Sequence, residues 1–204
     1  MKRVITCMLV LSLALLLCAC GGEQKPAMYI EPAQLTEEET NIVQLLGFNL
    51  EQKIFDFKVD ETVQVMNISV YELVDGQWDA FIGGQEHSNG RVFTDPKGRI
   101  ALTFDHLGDG IREALQSENY SGSTAMDIIR DPDPEGTSWA TSLLSRQEEI
   151  RYEEEIPLAI QIVTTKNEIR SFDTSYFFHP EEYEQYGYDH VYAVTVMFSQ
   201  KPLS

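Results

Sequence analysis

"VQVMNISVYELVDGQWDAFIG", residues 63–83, decides the fold. Apolar and polar residues alternate through Leu73, Asp75-Gly76 interrupts the run, and a second apolar-bearing stretch continues through Phe81 and Ile82. A period of two places one face of a strand in a core, and Asp-Gly is a dipeptide that closes tight hairpins. The stretch therefore predicts two antiparallel strands joined by a two-residue turn. Toward the N-terminus, "KIFDFKV" (53–59) sets Phe55, Phe57 and Val59 against Asp56 and Lys58 in the same period. Toward the C-terminus, Asn89-Gly90 and Pro96-Lys97-Gly98 mark turns, and "RIALTFD" (99–105) points Ile100, Leu102 and Phe104 one way.

The pattern continues to the end of the chain. "STAMDIIR" (123–130) reads as a strand, and "SWATSLLSRQEEIRYEEEIPLAIQIVTT" (138–165) as one long irregular strand or two, with Pro157 at a strand start or an edge. "HVYAVTVMF" (190–198) is apolar on both faces, as a central strand would be. "GDGIREALQS" (108–117) suits a short helix or a strand. One segment is helical by its signals: Thr36 with Glu39 three positions on has the spacing of a capping box, and Ile42, Val43, Leu45 and Leu46 form an apolar stripe ahead of Gly47. Eight or nine strands without a repeated strand-helix-strand unit predict a mainly β fold, an antiparallel β-sandwich with one short N-terminal helix. A lipocalin-like β-barrel is the alternative, being built from the same kind of strands.

The N-terminus is of a different nature. Lys2 and Arg3 precede the apolar run "VITCMLVLSLALLL" (4–17), and the first acidic residue is Glu23. A basic start followed by an apolar core is the layout of an export signal, and the core is shorter than the about 20 apolar residues a membrane span needs. Leu17-Cys18-Ala19 before Cys20 resembles the lipobox of bacterial lipoproteins. The resemblance covers residues 1–22 and implies a signal peptide over 1–19, a diacylglycerol thioether on Cys20, a tether over 20–35 and a single β-rich domain over 36–204. It implies a protein at the outer face of the cell membrane, held there by acyl chains. It transfers no activity to the domain.

Cys7, Cys18 and Cys20 are all the cysteines, so the domain has neither disulfide nor thiol chemistry, and its stability must come from its core. The 185 residues from Cys20 to Ser204 suffice for a domain that buries about two-thirds of its surface. Lysine and arginine number 15 against 33 aspartate and glutamate, for a net charge of −18. Such a surface repels nucleic-acid phosphates and anionic headgroups, which excludes nucleic acid as an expected partner.

Three stretches are candidate sites. In "RDPDPEGTSW" (130–139), Asp131, Asp133 and Glu135 alternate as calcium ligands do on a turning loop. The EF-hand order is only approximated, and Ser142 occupies the position of the closing glutamate. In "FDHLGDG" (104–110), Asp105, His106 and Asp109 offer one imidazole and two carboxylates, where zinc favours several N or S ligands; His87, His179 and His190 are scattered. The third, "FDTSYFFHPEEYEQYGYDHVY" (172–192), crowds eight aromatic rings among carboxylates. Tyr176, Tyr183, Tyr186 and Tyr188 there would give a rigid amphipathic contact for a protein partner or an envelope glycan, exposed as one patch on loops at an end of the sandwich. The competing view has Phe172, Phe177 and Tyr192 filling the core and the tyrosines covering it. No nucleophile elbow, phosphate loop or dinucleotide fingerprint is present. The expected function is a non-catalytic, surface-anchored binding module without a cofactor. An extracytoplasmic hydrolase using carboxylates such as Asp105, Asp109, Asp131 and Asp133, or a cation held by them, is the alternative.

Overall fold

The computed structural model describes residues 26–45, 53–80, 95–127, 136–170 and 172–201. Among the described residues eleven strands form two antiparallel sheets that pack as a sandwich, and neither sheet closes into a barrel. In chain order the strands are β1 (Tyr29–Pro32), β2 (Ile54–Lys58), β3 (Val65–Val74), β4 (Gln77–Ala80), β5 (Lys97–Thr103), β6 (Gly110–Ser117), β7 (Ser121–Asp127), β8 (Ser138–Leu143), β9 (Glu148–Glu149), β10 (Ile156–Thr164) and β11 (His190–Ser199). The six-stranded sheet runs β7-β6-β5-β2-β1-β9 and the five-stranded sheet β4-β3-β11-β10-β8. One helix, α1 (Glu37–Leu45), follows β1.

The hairpin read from residues 63–83 forms. β3 pairs with β4, Val74 opposite Gln77. Asp75 and Gly76 both have positive φ, 49° and 77°, as a turn that matches strand twist requires. Phe81 and Ile82, expected to extend β4, lie outside the described residues, as do Asn89-Gly90 and Gly47. The ambiguous 108–117 stretch becomes strand β6 preceded by a 3-10 turn, Leu107–Asp109. Ile111 and Leu115 are four apart, a spacing that suits either element, and pairing with β5 and β7 selects the strand. The 138–165 stretch divides into β8, β9 and β10 rather than one strand or two. Pro157 is the second residue of β10, beside a register irregularity that runs to Ala159, so the missing N–H falls where the ladder is already interrupted.

The core lies between the sheets. Phe55, Phe57, Ile100, Leu102, Ile111 and Leu115 from one sheet meet Ile68, Val70, Leu158, Tyr192, Val194, Val196 and Phe198 from the other. Gly98 sits against this core, where a Cβ would come within 2.5 Å of the Phe57 ring. β11 is the central strand of its sheet, and every residue of β10 is buried. The five-stranded sheet therefore has a second apolar face pointing away from its partner. A separate cluster covers it: Ile160, Ile162, Val191 and Ala193 from the sheet under Phe172, Phe177 and Tyr183.

Candidate functional site

The chain between β10 and β11 makes that cover. Asp173 accepts from the Ser175 amide at 2.9 Å and starts a 3-10 turn, Thr174–Phe178, that leads into the one-turn helix Glu181–Glu184. Those amide and hydroxyl contacts favour the ionised form and hold the Asp173 carboxyl below the usual carboxylate range. Trp78 of β4 stacks on Phe177, with centroids 5.1 Å apart, and its indole N–H donates to the Phe177 carbonyl at 2.7 Å. Phe172 meets Tyr183 edge-on at 4.8 Å. At the far end Asp189 accepts from the amide of Thr165, joining the exit of β10 to the entry of β11. The aromatic run is therefore a fixed layer on the outer face of the sheet and not a set of loops at an end of the sandwich.

That placement corrects the expectation for the tyrosines. Tyr183 is 1% exposed and cannot be a contact. It belongs to the layer over Ile160 and Ile162 because the apolar outer face of the sheet needs a ring there. Among the described residues its buried hydroxyl has no hydrogen-bond partner, and desolvation pushes the phenol pKa up. Phe172 and Phe177 are buried in this outer cluster, and Tyr192 in the core between the sheets. Tyr176, Tyr186 and Tyr188 are half-buried on the layer's outer rim. Tyr186 and Tyr188 stack with centroids 5.6 Å apart and planes 15° apart. Phe178 stands further along, 58% exposed.

Two residues not singled out in the sequence complete the rim. The Arg170 guanidinium donates to the Tyr186 hydroxyl, and the Arg170 amide donates to the Tyr188 hydroxyl at 3.0 Å. Its Cζ is 5.7 Å from the ring centroids of Phe172 and Tyr186, within cation–π range. Lys166 donates to the Tyr186 carbonyl. The signal was present as "TTKNEIRSF" leading into the aromatic run. Summing charge over the whole acidic chain hid two cations at one place.

The other candidates are distributed differently. Asp105 and Asp109 are exposed and flank the turn Leu107–Asp109, which Gln161 ties to the inner face of the five-stranded sheet by accepting from the Leu107 amide at 2.7 Å and donating to the Asp105 carbonyl at 2.8 Å. The His106 ring meets Trp139 at a tilt of 56° with centroids 3.9 Å apart, His190 contacts Glu72 at 2.7 Å, and His179 contacts Glu181 at 3.5 Å. Among the described residues no three His, Cys, Asp or Glu side chains come together as a metal site, and none of the helices is long and apolar enough to cross a membrane. Asp131, Asp133, Glu135, His87 and Cys20 lie outside the described residues. A cleft of about 350 Å³ beside the start of β10 is lined by Arg146, Arg151, Glu148, Glu149 and Phe178 among others, but its arginines are taken up in ion pairs, Arg146 with Glu148 at 2.7 Å and Arg151 with Glu149 at 2.9 Å.

Neither family models, nor curated proteins, nor solved structures contain a match to this chain.

Proposed function

We propose that this protein is a non-catalytic binding module of the cell envelope, anchored at the outer face of the membrane by acyl chains on Cys20, and that it recognises a protein or envelope component through the rim of Tyr176, Tyr186 and Tyr188. The observation that carries the proposal is the mounting of these rings: half-buried, with Tyr186 stacked on Tyr188, on a layer fixed to a sheet that is packed on both faces. Rings held this way lose little conformational freedom on binding and present an apolar body with a polar tip, the properties of contact tyrosines. The anchor reading rests on the lipobox. Eight residues, 21–28, separate Cys20 from β1, a reach of roughly 30 Å when extended, enough to hold the domain clear of headgroups that its acidic surface repels.

Proximity labelling of the anchored protein in its own cell tests the contact. Reproducible capture of one envelope component, lost when Tyr186 and Tyr188 are replaced by alanine in a still-folded protein, is the expected result. Capture that survives both substitutions removes the rim from the account. The anchor is tested separately by intact mass of the membrane-extracted protein. A diacylglyceryl adduct on a chain starting at Cys20 is expected, and an unmodified chain starting elsewhere overturns it.

A further inference from the structure

We infer that the rim selects an oxyanion, a carboxylate or phosphate group, held by Arg170, Lys166 and the hydroxyls of Tyr186 and Tyr188. The inference rests on the binding-module reading and names the chemistry of its ligand. It starts from the direction of the hydrogen bonds. Each phenol oxygen already accepts, Tyr186 from the Arg170 guanidinium and Tyr188 from the Arg170 amide. A phenol has a single proton to donate, and among the described residues neither hydroxyl has an acceptor for it. Both O–H groups are therefore left to donate outward. Arg170 uses one of its five guanidinium N–H groups on Tyr186, and Lys166 uses one of three on the Tyr186 carbonyl.

The rim is thus an array of donors around two cations attached to opposite ends of one residue. Its ligand must be rich in acceptors. Both cations are exposed, and among the described residues neither has a carboxylate partner; their hydrogen bonds go to neutral oxygens. Arg99, Arg146 and Arg151, by contrast, are each held by glutamate or aspartate. Among the described residues Glu168, two positions from each cation, pairs with neither. Asp189 is occupied by the Thr165 amide and hydroxyl, and Asp173 by Ser175. In a chain of net charge −18, these two cations stand on a rigid donor surface with hydrogen-bonding capacity still unused. The guanidinium brings a fixed charge together with several donors to an anion, so Arg170 is the main determinant.

Titration of the purified protein with inorganic phosphate and, separately, with glucuronate, followed by amide chemical shifts, tests this and distinguishes a phosphate-bearing from a uronate-bearing ligand. Saturable shifts at Arg170 and Tyr188 are expected with at least one probe. Affinity should fall about tenfold or more in Arg170→Gln and by a smaller factor in Lys166→Gln and Tyr186→Phe. It should also weaken as salt is raised. Absence of saturable shifts with both probes, or equal binding in Arg170→Gln, overturns the inference. If envelope capture is still lost on Tyr186→Ala/Tyr188→Ala while Arg170→Gln leaves it intact, the binding module stands and the anion chemistry falls.

Discussion

Tyr183, Thr195 and Gln161 are all fully buried polar residues of the five-stranded sheet and its cover, and their roles differ. Among the described residues the hydroxyls of Tyr183 and Thr195 have no hydrogen-bond partner, whereas both ends of the Gln161 amide are used, on Leu107, Asp105 and Thr141. An unpaired buried hydroxyl costs free energy that an isosteric apolar group avoids. Tyr183→Phe and Thr195→Val should therefore leave stability unchanged or raise it by up to about 1 kcal/mol in urea denaturation. Gln161→Leu should lower it by roughly 1–3 kcal/mol, because the Leu107 N–H is then buried without its partner. A clear loss in Tyr183→Phe would mean that its hydroxyl is bonded after all. The burial of Tyr183 was not legible in "EEYEQYGY". Its flanking glutamates suggest exposure, and which of several nearby rings turns inward depends on where the sheet needs volume.

At the scale of one element, α1 is built almost entirely by local chemistry. The Thr36 hydroxyl accepts from the Glu39 amide at 3.2 Å, and Glu39 accepts from the Thr36 amide at 2.7 Å, closing the capping box read from the sequence. No residue of the helix is buried, and Leu45 is 86% exposed. Its tie to the domain is Arg99 of β5, which reaches Glu39 at 2.7 Å and Asp56 at 2.7 Å. The Thr36 amide, then the Arg99 guanidinium, bring the Glu39 carboxyl down from 4.5 to about 2. A folded-state pKa below the unfolded value stabilises above the unfolded pKa and is lost as pH falls through the folded one. The ends of α1 should therefore fray between about pH 4.5 and pH 2, visible as faster amide exchange at Thr40. Arg99→Gln should move that loss to higher pH, and an unchanged profile would mean the ion pair does not hold the helix. Thr36→Ala should cost the helix about 1 kcal/mol.

For the molecule as a whole, charge and core oppose each other. Excess carboxylates repel one another across the folded surface, and at 0.15 M salt the screening length is about 8 Å. The thermal midpoint should rise by a few degrees when sodium chloride is added to a low-salt buffer, and a flat midpoint would mean that the charges are already locally compensated. Far-ultraviolet circular dichroism should be β-dominated and unchanged by reductant, since all three cysteines precede residue 21. It should also be unchanged by chelator. A collapse on chelation would point to the 131–135 stretch as a structural cation site.

What the sequence determined by itself was local in origin. Period-two runs, the Asp75-Gly76 turn and the Thr36–Glu39 box act within a few residues, so their outcome is written in the order of side chains. The apolar character of residues 190–198 on both faces likewise announced a strand buried on both sides. Only the tertiary structure decided what covers the second face. The covering rings come from the excursion between β10 and β11 and from Trp78, a hundred residues earlier, and no local pattern encodes that meeting. The same is true of β6, whose spacing admitted two elements until neighbouring strands offered partners, and of the pairing of Arg170 with Tyr186 and Tyr188. Hydrogen bonds and burial between distant segments are chosen by the whole packing, which a one-dimensional pattern constrains without naming.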